Sequence, residues 1–123
     1  TQSYEDKIRE KGGIDLCILG IGTNGHIAFN EPGSSFESRT RVVDLSEQTI
    51  QDNSRFFDSI DDVPTRAITM GLGTIMESKR ILVMAQGKKK KGILDKAMFG
   101  KITEKIPASI LQTHDNMEAF YCD

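Results

Sequence analysis

The sequence predicts an α/β fold, a mainly parallel sheet flanked by helices in Rossmann-like alternation. Three observations carry that prediction. Short apolar runs with little polar alternation occur at residues 14–19, 67–70 and 80–85, as in strands buried on both faces of a parallel sheet. Stretches with helical spacing or helix-start signals lie between them. A glycine-rich turn, residues 20–25 (GIGTNG), follows the first run directly, at the carboxyl edge where open α/β sheets bind ligands.

The elements follow in order. Tyr4 and Ile8, four apart among charges, mark a first helix that Gly12 and Gly13 stop. Ile14–Leu19 is the first strand. Residues 20–40 are dense in Gly, Asn, Pro and Ser and make a long loop, and loops of that length are usually functional. Thr40–Leu45 reads as a strand, and Ser46–Phe57 as a helix with Ser46 at its N-cap. Ala67–Met70 is the next strand. After the turn at Gly71–Gly73, Thr74 and Glu77 fit a capping box at the start of a short helix. Arg80–Ala85 is a third apolar strand; Gly87 follows it, then a helix through Met98 that ends at Gly100. Pro107–Gln112 suits a helix with proline in its first position, and Met117–Cys122 closes as a strand. Cys17, Cys122, Phe56, Phe57 and the methionines are expected in the core, and His114 at a helix end.

Length and composition bound the function. The 123 residues suit one domain, and 28% charged with 37% hydrophobic residues is a globular balance. Sixteen Lys and Arg against eighteen Asp and Glu give a net charge of −2. A nucleic-acid or membrane-surface binder needs a cationic excess, so neither partner is expected. Two cysteines make no disulfide framework or metal set, and a reducing cytoplasm is the default. The chain starts at Thr1 inside a helical pattern and stops just after a strand-like run, so it is expected to be a fragment.

The glycine turn matches G-x-G-x-x-G, and Asp44 lies near where a ribose-binding acid would be sought. Dinucleotide binding fails on context, because residues 30–35 (NEPGSS) interrupt the helix those glycines should open. The residues that follow the turn are richer in chemistry. His26 can exchange a proton near neutral pH. Glu31, five residues on, can orient the imidazole if the segment folds back, and Asn24 offers an amide to fix the ring's tautomer or hold a sugar hydroxyl. A turn capped by Asn24, with a structural His26 and a solvated Glu31, is the plainer reading of the same spacing.

Residues 19–32 (LGIGTNGHIAFNEP) resemble the signature of the glucosamine-6-phosphate deaminase/isomerase family. The likeness continues in Ser38–Arg41, in Asn53–Phe57, in Ala67–Thr74 and in Pro107–Gln112. It spans essentially the whole chain and implies the C-terminal part, residues 1–123, of a single α/β domain. The family turns an amino-sugar 6-phosphate into fructose 6-phosphate and ammonia without a redox cofactor or catalytic metal. The resemblance implies that His26 opens the sugar ring with Glu31 and Asn24 as partners. Some members carry Asp where this chain has Asn24. It also implies that Arg55 and Lys90 hold the phosphate, with Lys91 one register away, and that Gly20, Ile21 and Gly22 offer backbone groups to the sugar. In regulated members an activating acetylated sugar phosphate binds beside the segment at Arg41; Val43 and Asp44 replace its Lys and Thr here, and a carboxylate repels a phosphate. The carboxylate that carries a proton between sugar carbons, and a phosphate loop, lie upstream of Thr1 in the family. The chain alone is therefore expected to be inactive and the full-length protein to be an assembly of identical subunits. A galactosamine 6-phosphate substrate, a non-catalytic sugar-phosphate sensor and a 6-phosphogluconolactonase-like hydrolase are the alternatives.

Overall fold

The computed structural model describes residues 1–123. Its frame is a three-stranded parallel sheet, β1 (Leu16–Leu19), β4 (Arg80–Gln86) and β5 (Met117–Cys122), in the order β1-β4-β5. Ile18 lies opposite Leu82, and Met84 opposite Phe120. Alternation of side chains sends Cys17, Leu19, Ile81, Val83 and Ala85 to one face. There they pack with Leu72 and Ile75 of α3 (Leu72–Met76), with Leu94 and Ala97 of α4 (Lys88–Phe99), and with Ala108 and Leu111 of a 3-10 segment, Pro107–Thr113. The other face is bare: Leu16, Ile18, Met84 and Phe120 are exposed. No helix is long and apolar enough to cross a membrane.

The strand at Thr40–Leu45 does not join this sheet. β2 (Arg41–Asp44) pairs antiparallel with β3 (Arg66–Thr69) in a separate ribbon, with Val42 opposite Ile68. Between them runs α2 (Glu47–Asn53), capped by the Ser46 hydroxyl accepting from the Thr49 amide. The helix stops at Asn53 rather than Phe57: the Ser54 hydroxyl bonds the Gln51 carbonyl and the chain tightens into a 3-10 turn at Ser54–Phe56. This turn leaves Phe56 and Phe57 exposed, and Cys122 is exposed at the end of β5. Cys17 is buried as expected. His114 ends the 3-10 segment, its Nε2 donating to the Ser78 carbonyl while Nδ1 accepts from the Asn116 amide.

The expected capping box at Thr74 does not form, because α3 starts three residues earlier with Gly71 as its N-cap. A Cβ at Gly71 would lie 2.0 Å from the Ser38 carbonyl oxygen, so only glycine fits this approach. The Thr74 hydroxyl is used elsewhere. In α1 (Gln2–Glu10) the residue that faces inward is Glu5, only 4% exposed. Its carboxylate accepts from the Thr40 amide and hydroxyl, from the Thr74 hydroxyl and from Arg39, which also pairs with Glu77. Burial opposes the ionised form, but the bonds from Thr40, Thr74 and Arg39 outweigh it and hold the carboxyl at about 2.

Candidate functional site

β1 ends at Gly20, and the chain then turns on itself: the Gly22 amide bonds the His26 carbonyl and the Gly25 amide bonds the Gly22 carbonyl. Gly25 has φ +91°, in the left-handed region that favours glycine. The Ala108 amide bonds its carbonyl and pins the turn to the segment after Pro107. The turn folds the His26 imidazole back over Gly22, where a Cβ would lie 2.1 Å from the ring. Asn30, fully buried, fastens the far end of the loop. Its amide nitrogen donates to the Ile27 and Met70 carbonyls, and its oxygen accepts from Arg41. The guanidinium of Arg41 is thereby tied into the fold.

Glu31, Asn24 and His26 cluster together, and their hydrogen bonds fix the protons. Glu31 is held ionised: burial opposes this, but the Thr49 hydroxyl, the Asn24 amide and the neighbouring His26 favour it. An ionised carboxylate only accepts hydrogen bonds. The Asn24 Nδ2 group therefore faces Glu31, at 2.8 Å, which turns Asn24 Oδ1 to His26 Nδ1 at 2.7 Å. That oxygen accepts, so the neutral ring carries its proton on Nδ1 and keeps the lone pair on Nε2, which has no protein partner. The sequence suggested that Glu31 would orient the imidazole. The carboxylate lies beside the ring, 3.7 Å from Nδ1, and the Asn24 amide bonds both of them. Burial lowers the His26 pKa; Glu31 opposes that shift, Lys90 adds to it and Asp52 opposes it.

His26 lines a cleft of about 830 Å³ whose walls are the glycine turn, α2 and the start of α4. Arg55 lines it from the 3-10 turn after α2, with its guanidinium 4.7 Å above the Phe56 ring. Lys90 lines it from α4, half-buried, with Nζ on the Ile21 carbonyl. Lys91 points elsewhere, toward Asp95 and the Tyr121 ring. Gly22 lines the cleft, but its amide is already bonded to His26. The Ile21 carbonyl is taken by Lys90, and Gly20 lies outside the lining. Asn24 and Glu31 sit behind the imidazole rather than on the cleft surface. No three His, Cys, Asp or Glu side chains converge as a metal-ligand set.

Several lining residues escaped the sequence reading: Thr49, Asp52, Lys88 and Lys89. Thr49 also donates to Glu31 Oε1 at 2.6 Å, joining α2 to the relay. Thr49, Asp52 and Arg55 recur every third residue, a polar spacing in the helix expected over Ser46–Phe57 that could have marked the lining.

Comparison with known proteins adds the following. The sequence profile described as glucosamine-6-phosphate isomerases/6-phosphogluconolactonase matches residues 1–120. A glucosamine-6-phosphate deaminase from Oceanobacillus iheyensis is 58% identical over 116 residues, 94% of this chain and 46% of that protein. The solved structure of a monomeric glucosamine-6-phosphate deaminase superposes with a TM-score of 0.95 at 50% identity, covering 98% of this chain and 50% of that one. That relative is a monomer by description, so the expected assembly of identical subunits draws no support from it. A 6-phosphogluconolactonase from Trypanosoma cruzi reaches a TM-score of 0.69 at 24% identity, a likeness of fold alone. The chain spans about half the length of the curated relatives it matches, 46% and 51% for two of them.

Proposed function

The chain belongs to the glucosamine-6-phosphate isomerase/6-phosphogluconolactonase family, and from that premise we propose that it carries the ring-opening side of an amino-sugar-6-phosphate deaminase. The reaction takes glucosamine 6-phosphate and water to fructose 6-phosphate and ammonia. Residues 1–123 form the C-terminal part of the catalytic domain in this reading. The bare apolar face of β1-β4-β5 supports it, since parallel sheets are ordinarily covered on both sides. The two free cysteines accord with a reducing cytoplasm.

The observation that carries the proposal is the relay of Glu31, Asn24 and His26, which leaves Nε2 bare beside the cleft. Opening a hemiacetal ring requires a base for the anomeric hydroxyl proton and an acid for the ring oxygen, and one imidazole can serve as both in turn. In the neutral ring Nε2 accepts the first proton. The other proton stays on Nδ1, donated to the Asn24 carbonyl, and the Glu31 charge keeps that carbonyl correctly turned. Arg55 and Lys90, on opposite walls, are the proposed phosphate ligands: the planar guanidinium suits a bidentate contact and the ammonium acts as a point charge. Moving a proton between adjacent sugar carbons is assigned to a carboxylate outside these 123 residues.

The test is ammonia release by a full-length protein containing this chain. Turnover of glucosamine 6-phosphate is expected, well above that of its galacto epimer. Absence of ammonia, or hydrolysis of 6-phosphogluconolactone instead, overturns the reading. A second expectation concerns Gly22. In the Gly22→Ala variant the new methyl group occupies space held by the imidazole, so His26 must move. Loss of about 10²-fold in kcat/KM is expected, as for a displacement of about 1 Å at a reacting group. An unchanged rate in steady-state assays would show that the ring's seat on Gly22 is unimportant.

A further inference from the structure

Among the charged side chains that line the cleft, Arg55, Lys88, Lys89 and Lys90 are cations and Asp52 is the one carboxylate. For a ligand whose only charge is a phosphate, a carboxylate there is a defect, because it weakens the field that draws the anion in. Asp52 is also not neutralised by the lysines. It accepts from the Gln48 amide at 2.9 Å and, from the opposite wall, makes a long contact of 3.5 Å with the Thr23 hydroxyl. That contact sets it against the glycine turn at Thr23, which is one residue from Asn24 and three from His26 in sequence. It stands near the end of α2, three residues before Arg55 in the 3-10 turn that follows. A hexosamine phosphate carries two opposite charges on one small ring skeleton, a phosphate at carbon 6 and a protonated amine at carbon 2.

We infer that Asp52 binds the protonated amine of the sugar phosphate and so makes this cleft prefer amino sugars to hydroxy sugars of the same skeleton. The inference rests on the deaminase reading and deepens it. Asp52 thereby becomes a substrate-binding residue: Arg55 and Lys90 take one end of the ligand, Asp52 the other charge, and His26 the ring oxygen.

The test is Asp52→Asn in the full-length protein, an exchange that removes the charge and keeps the shape. KM for glucosamine 6-phosphate is expected to rise about ten-fold, the effect of losing one charge-assisted hydrogen bond, with kcat within about two-fold. Calorimetry with two open-chain probes separates the causes. 2-Amino-2-deoxyglucitol 6-phosphate should bind about ten-fold more weakly to the variant, and glucitol 6-phosphate, which lacks the amine, should not. Equal losses for both probes, or no loss for either, overturn the inference, as does a collapse of kcat at constant KM, which would make Asp52 a proton carrier. A wild-type protein that releases no ammonia sinks the deaminase reading, whereas the comparison of the two probes still decides the amine contact.

Discussion

Replacing His26 with Gln is expected to lower kcat for ammonia release about 10³-fold and to change KM by no more than a few-fold, the signature of a lost general acid–base group. Glutamine fills similar space but cannot take up and return a proton. The pH profile of the wild type supplies an independent reading of the same residue. Burial lowers the His26 pKa and Glu31 only partly restores it, so the ring stays neutral to below the ordinary 6.5. The acid limb of kcat/KM should accordingly fall below that value, with activity lost as the pH drops through the lowered pKa. The same shift means that stability contributed by the neutral ring is present above about 6.5 and declines as pH falls through the lowered value. An acid limb at or above the ordinary value, or a loss of less than ten-fold in His26→Gln, would remove the imidazole from the proposed role.

The second large effect belongs to a residue far from the cleft chemistry. Glu5→Gln is expected to destabilise the protein by about 3 kcal/mol at neutral pH, the linkage value of a carboxyl brought from 4.5 to about 2. The sign follows from the lowered pKa. The stabilisation is full above the unfolded value of 4.5 and is lost as pH falls toward 2. Urea unfolding at pH 7 and at pH 3 should therefore show a large gap between wild type and variant in the first case and a smaller one in the second. Equal gaps at the two pH values would show that the charge of Glu5 is not what stabilises the segment around Arg39 and Thr40.

Neither Glu5 nor the ribbon was legible in the sequence. Glu5 sits between Tyr4 and Ile8 on an otherwise charged helix and reads as a solvated acid. Its burial depends on Arg39, Thr40 and Thr74, between 34 and 69 residues away, and local periodicity carries no record of partners so distant. β1 and β4 of the parallel sheet were legible because each is a short apolar run that ends beside a glycine, Gly20 and Gly87. The pairing of β2 with β3 was not, since residues 40–45 and 67–70 have no feature that excludes them from the main sheet. At the site, residue types placed His26, Glu31 and Asn24 in one segment. They could not show that the amide bonds both the acid and the imidazole, because that depends on which atoms the turn at Gly22–Gly25 brings within reach.

The ribbon of β2 and β3 shares no ladder with the parallel sheet, yet the helix and turn it encloses supply Asp52 and Arg55 to the cleft. His26 and its relay hang from the sheet instead. Asp52 and Arg55 thus ride on a different frame from His26 and Lys90, the two frames joined through a few side chains such as Asn30 and Thr49. A lineage could rewrite residues 41–69 to welcome a different ligand while the segment around His26 passed to descendants unaltered.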